Sequence, residues 1–161
     1  MVVILHNLRS AHNVGSIFRT SDGAGVKKIY LSGFSPSPVN KVGTPRIRLT
    51  KVALGAEKFI EWEQIKSITS TIKKLKKNGY KIYSVEQDKK SIPYQKIKKV
   101  KDEKIALIMG NEINGLTRNI LDKSDKIIDI PMHGQKKSLN VSVAYGIVSY
   151  HFAQLLNKIN D

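Results

Sequence analysis

LIMGNEINGL at Leu107–Leu116 and IPMHGQKKSLNVSVAYG at Ile130–Gly146 decide how this chain folds. Each is an apolar, strand-like run that breaks into a loop rich in glycine and asparagine, and the second loop opens directly into a helical pattern. About twenty residues separate the two in sequence, close enough for both loops to line one pocket. Such a pocket would offer backbone donors, small side chains and a few amides, which are the means by which proteins hold small polar ligands. Ser138 and Asn140 stand at the mouth of an apolar helix, and the stretch reads as a cofactor site.

Working outward, Val2–Leu5 reads as a short buried strand followed by a polar loop, His6–His12. Asn13 then serves as the N-cap of a helix running through Ala24, with Gly25 as its stop. Lys28–Leu31 is the next strand. Ser32–Arg46, with Gly33, Pro36, Pro38, Gly43 and Pro45, is a long loop of the kind that is usually functional or mobile. Thr50–Ala56 reads as a short helix and Lys58–Trp62 as a brief strand. Ser67 caps a lysine-rich helix that ends at Asn78–Gly79. Tyr80–Val85, Ile105–Met109 and Lys126–Ile130 are strands, and Leu139–Ile159 is the longest helical pattern. Strands alternating with helices predict one α/β domain over residues 1–161 built on a mostly parallel sheet. If the strands are parallel neighbours, Asn7–Asn13, Gly110–Gly115 and Pro131–Asn140 lie along one edge, beyond the strand carboxyl ends where such sheets bind ligands.

Composition narrows the function. With 161 residues, 40% hydrophobic and 25% charged, the chain is globular. No apolar run approaches the roughly 18 residues that span a bilayer, and Met1–Leu5 is too short for a signal peptide. The absence of cysteine removes disulfides, thiolate catalysis, iron–sulfur clusters and Cys-based zinc sites, and the expected location is cytoplasmic. A net charge of +15 points to a polyanionic partner, nucleic acid above all. Lys66–Lys104 holds thirteen lysines against four acids, a surplus of nine. An AT-rich coding sequence would also enrich lysine, isoleucine and asparagine together, so charge alone leaves that explanation open.

Familiar enzyme motifs are missing. GxGxxG and GxxxxGK[ST] do not occur, Gly23 and Gly25 fall at a helix end, and His6, His12, His133 and His151 lack metal-ligand spacing. Three islands remain. In the first, Asn13 and Arg19 are six residues apart, and a surface arginine at a helix border explains Arg19 as well as a catalytic one does. In the second, Glu112 lies in a glycine-bracketed loop where it orders the loop through backbone donors or holds a basic partner. In the third, Ser138 reads as the N-cap of the last helix, while Asn140, one turn in, resists a purely structural explanation.

The three islands together resemble the SpoU (TrmH-like) family of RNA ribose methyltransferases, within the SPOUT superfamily. The resemblance rests on N-x-G-x-I-x-R-T at Asn13–Thr20, L-x-M-G-N-E-x-x-G-L at Leu107–Leu116 and I-P-M-x-G-x-x-x-S-L-N-V-S-V-A at Ile130–Ala144. Thr44-Pro45 with Lys51–Glu57 looks like the family's central segment. The resemblance implies a sheet with helices on both faces and a C-terminal deep trefoil knot (a rare exception to unknotted topology), and the sequence itself is expected to be a minimal core without an accessory RNA-binding domain. It implies S-adenosylmethionine as cofactor without metal, held by Gly110, Ile130 and Leu139 with Met109, Asn111 and Met132 adjoining, and one side closed by Ser84–Glu86. It implies a homodimer with Arg19 and the last helix near the interface. Arg19 is then the catalytic residue, with Asn13, Glu112, Ser138 and Asn140 shaping the site. An arginine stays protonated near neutral pH, so anchoring an RNA phosphate and stabilising a developing alkoxide competes with a role as general base. tRNA is favoured over rRNA as substrate by analogy. A basic RNA-binding module without catalysis and a base methylase are the alternatives.

Overall fold

Apolar side chains alternate across the strands and divide the interior into two layers, one on each side of a single sheet. The computed structural model describes residues 1–100 and 103–157. In chain order these form β1 (Val2–His6), α1 (Ala11–Gly23), β2 (Lys28–Ser32), α2 (Ile47–Ala53), β3 (Glu61–Ile65), α3 (Ile68–Lys77), β4 (Tyr80–Val85), β5 (Ile92–Pro93), β6 (Lys104–Met109), α4 (Arg118–Leu121), β7 (Lys126–Asp129) and α5 (Val141–Asn157). The strand order is β3-β2-β1-β6-β4-β7-β5, and every pairing is parallel.

Period-two alternation sends Val3, Leu5, Ile29, Leu31, Leu107 and Met109 to one face, against Phe18 of α1, Leu49 of α2 and Phe152 of α5. Val2, Ile4, Ile82, Ala106, Ile108 and Ile127 face the other side, where Ile72 and Leu75 of α3 and Ile120 of α4 cover them. Central strands buried on both faces are apolar at nearly every position, as β1 and β6 are. Phe18, Phe152 and Ile4 are fully buried, and each such side chain contributes about 1.5–3 kcal/mol.

Several elements differ from their sequence reading. Helix α1 begins at Ala11, and its cap is Ser10, whose side chain accepts from Asn13 N at 3.2 Å. Asn13 is therefore not the cap; it lies within the first turn and is buried. Gly25 does take the left-handed conformation just past the helix, at φ 67°. Helix α2 covers Ile47–Ala53 rather than Thr50–Ala56, because the Arg46 carbonyl accepts from Leu49 and Thr50, and Leu54 and Gly55 at φ 51° and 92° end the turn. A 3-10 turn at Ala56–Lys58 displaces β3 to Glu61–Ile65, beyond the expected Lys58–Trp62. That edge strand carries little apolar signal and is set by pairing with β2, where Lys28 Nζ meets Glu61 at 2.5 Å and Glu63 at 2.9 Å. β5 and α4, of two and four residues, are too short for periodicity to show. Helix α5 begins at Val141 rather than Leu139, and Ile159 lies outside the described residues.

Candidate active site

Because β1, β6 and β7 run parallel, their carboxyl ends deliver three loops to one edge of the sheet, as expected. β1 and β6 are neighbours at the point where the strand order changes direction, which is where open parallel sheets form a ligand crevice. The loops are tied by side chains. Asn111 Nδ2 donates to Asn7 O at 2.7 Å. Glu112 accepts from Arg9 N at 3.0 Å, Ser10 N at 3.3 Å and Asn13 Nδ2 at 3.1 Å. Asn140 Nδ2 donates in turn to Asn13 Oδ1 at 3.3 Å. Burial pushes the Glu112 carboxyl up, but the hydrogen bonds from Arg9, its own N–H, Asn13 and Ser10 outweigh it and hold the group below the usual carboxylate range.

Asn140 is the true cap of α5: its side chain accepts from Ser142 N at 2.9 Å, and its carbonyl accepts from Ala144 N at 2.9 Å. Neither its expected place one turn inside the helix nor the expected capping by Ser138 holds. The motif's asparagine does two jobs, since Oδ1 starts the helix while Nδ2 reaches the first island.

Beside this network lies a cavity of about 370 Å³, within the range of small-ligand sites. Met109, Gly110, Asn111, Ile130, Met132 and Leu139 all line it, together with Glu112 and Ser138. Gly110 permits the loops to close: a Cβ there would stand 2.7 Å from Leu116 Cγ and 2.9 Å from the Gly115 carbonyl carbon. Val85, Glu86 and Gln87 form one wall. Ser84 is buried and bonded to Ser124 Oγ at 2.7 Å instead. Glu86 Oε2 accepts from Leu116 N at 2.8 Å.

Asp129 and Lys137 also line the cavity, and the sequence reading missed both. Asp129 Oδ1 is buried without a hydrogen-bond partner among the described residues. An acid ending the apolar run KIIDI was the available signal, since such residues are seldom buried unpaired. Glu86, Glu112 and Asp129 thus give a carboxylate-rich lining to a protein of net charge +15.

Arg19 is not brought to this cavity. It is exposed on α1 and does not line the pocket. Six helical residues place it about 9 Å along the axis from Asn13 and about 240° around it. Among the described residues no three His, Asp or Glu side chains cluster as metal ligands, and no helix is long and apolar enough to cross a membrane.

Fold and site together define a parallel α/β protein with a ligand cavity at the carboxyl ends of β4, β6 and β7, bounded by the second and third motif loops and the segment that follows β4. The chain belongs to the SpoU rRNA Methylase family, whose profile matches residues 1–150. A protein of Staphylococcus haemolyticus named for the TrmH family of tRNA/rRNA methyltransferases is 31% identical over 160 residues. That match takes in 99% of this chain and 61% of the relative, so the chain spans about three-fifths of the length of such curated relatives. The crystal structure of an A. aeolicus TrmH/SpoU tRNA modifying enzyme superposes with a TM-score of 0.85 at 27% identity, covering 99% of this chain and 76% of that one. An AdoMet-bound rRNA methyltransferase from Sinorhizobium meliloti superposes with a TM-score of 0.86 at 26% identity, covering 96% and 56%.

Proposed function

We propose that this chain is an RNA methyltransferase that transfers a methyl group from S-adenosylmethionine to a ribose 2′-hydroxyl, on tRNA in preference to rRNA. The observation that carries the reading is the carboxylate-lined cavity, assembled from the very loops that hold the family motifs. The similar S. meliloti protein holds AdoMet, and the residues here fit that group. Met109, Ile130, Met132 and Leu139 offer apolar contact to a nucleoside, Glu86, Glu112 and Asp129 suit a cationic ligand, and Lys137 suits a carboxylate. The unpartnered Asp129 Oδ1 is an acceptor in want of a donor.

When bound, S-adenosylmethionine supplies an electrophilic methyl on a positively charged sulfur. The chain's own part is placement and electrostatics. Gly110 and the loop at 130–140 hold the cofactor, and Glu112, Asn13 and Asn140 lock the loops so that the pocket is formed before substrate arrives. Arg19, exposed and distant from its own cavity, serves the site of a second copy in a homodimer. There it grips an RNA phosphate and stabilises charge developing on the ribose oxygen. We also infer a knotted C-terminal segment, a reading that rests on membership of the family.

Calorimetry with S-adenosylmethionine, followed by methyl transfer to tRNA and to rRNA from a strain lacking the gene, tests this. Cofactor uptake and a new 2′-O-methyl nucleoside in tRNA are expected. RNA binding without cofactor uptake would make the chain a basic binding module instead.

A further inference from the structure

A second depression lies on the same sheet edge, beyond β1, β2 and β3, with a volume of about 900 Å³. Arg9, His12, Phe34, Arg46, Arg48 and Lys51 line it, and among the described residues no acid does. None of these four permanent cations forms a salt bridge among the described residues. The depression adjoins the cavity: Glu112, on the cavity wall, accepts the backbone N–H groups of Arg9 and Ser10, which line the groove.

Phe34 is 59% exposed there, yet it stands on a rigid base. Its N–H donates to Asn7 Oδ1 at 3.3 Å. The next residue, Ser35, is buried, donating to Leu5 O at 2.9 Å and accepting from Leu8 N at 3.0 Å. Asn7 and Gly33 take the left-handed conformation, at φ 57° and 63°, to make the turn. Arg46 is similarly oriented, its Nε donating to Ser37 O at 3.0 Å. An aromatic ring held outward by a hydrogen-bonded loop and ringed by unpaired cations matches the way proteins hold unpaired nucleotides, with bases stacked on rings and phosphates on arginine and lysine.

We propose that this groove binds the single-stranded RNA segment flanking the target nucleotide, with one base stacked on Phe34 and the backbone on Arg9, Arg46, Arg48 and Lys51. The inference rests on the methyltransferase reading for the word "target", and on the groove alone for RNA binding. It narrows the substrate class to RNA whose modified nucleotide lies in a loop or other unpaired stretch. Duplex RNA presents no free base face to the ring.

The test uses fluorescence anisotropy of the full chain with a labelled single-stranded oligouridylate and a blunt RNA duplex of equal length, and calorimetry with S-adenosylmethionine in parallel. Wild type should prefer the single strand. Phe34→Ala should weaken single-strand binding about tenfold, Phe34→Trp should restore it, and duplex affinity should change little. Replacing both Arg46 and Arg48 by Gln should flatten the single-strand salt slope by about 1.4. Cofactor affinity should be unchanged in all variants. Wild-type affinity in Phe34→Ala, or equal loss with Phe34→Trp, overturns the stacking role. An unchanged salt slope overturns the phosphate role. A fall in sedimentation mass in Phe34→Ala overturns the proposal in favour of a groove covered by a second copy. Loss of cofactor binding by wild type would strike the methyltransferase reading and leave groove binding of RNA standing.

Discussion

Asn140 and Asn13, separated by 127 positions in the chain, are joined by a hydrogen bond of 3.3 Å from Nδ2 to Oδ1. Through Asn13 Nδ2 the same chain of contacts reaches Glu112 at 3.1 Å. One asparagine therefore couples the start of the last helix to the first and second motif loops, and it does so beside the ligand cavity.

The two tasks of Asn140 separate by substitution. Asn140→Ala removes both the cap and the link, and should cost about 1 kcal/mol of stability together with cofactor affinity. Asn140→Asp keeps an acceptor for Ser142 N but loses the donor to Asn13. Its thermal stability should stay near wild type while methyl transfer falls. Equal loss of stability in both variants, read by thermal denaturation, would show that Nδ2 is part of the fold rather than of the site.

Gly110→Ala should fail at the pocket. The added carbon meets Leu116 and the Gly115 backbone below 3.0 Å, so the loop must shift, at about 1–3 kcal/mol. Calorimetry should show cofactor affinity reduced tenfold or more. Gly134→Ala, where the added carbon meets nothing within 4 Å, is the matched control and should bind normally.

Acid should loosen the same edge. The His6 ring pairs with Ser32 Oγ at 3.1 Å and accepts from Asn7 Nδ2 at 3.1 Å, and burial pushes its pKa below the ordinary 6.5. The unfolded chain therefore takes up its proton first, and stability declines as pH falls from 6.5 toward the lower folded value. Glu112, also lowered, acts in the same direction at more acid pH. Thermal midpoints should drop between about pH 7.5 and about pH 5.5, and His6→Gln should drop less over that interval. Parallel curves for the two proteins would exclude His6 as the source.

Arg19→Ala should abolish methyl transfer while leaving cofactor affinity nearly intact, since Arg19 lines no part of its own cavity. If it serves the partner's site, mixing Arg19→Ala with Gly110→Ala protomers should restore part of the activity, because each mixed dimer regains one complete site. No recovery, with mixed dimers confirmed by mass, would place Arg19 in cis. Arg19→Lys keeps the charge without the planar fork. Failure of that variant at every pH supports a phosphate grip, and activity rising with pH supports a base.

Much of the fold was legible because burial is periodic. Tyr80–Val85 matches β4 residue for residue, Ser67 is the α3 cap, and the runs around Leu107 and Ile128 are strands because both their faces are covered. The six residues that the family resemblance implied line one cavity, because the two glycine-bearing loops that carry them leave parallel strands at the same edge. Whether Asn13 caps a helix or binds a carboxylate was not legible. Both uses demand the same amide, and the choice depends on Glu112, 99 positions away. Local pattern determined the buried strands and the longer helices, but not the edge strand β3 or the short β5 and α4. Only the tertiary structure decided that β6 lies beside β1 and that Asp129 faces a cavity, because strand order is set by long-range pairing and packing, which leave no period in the sequence.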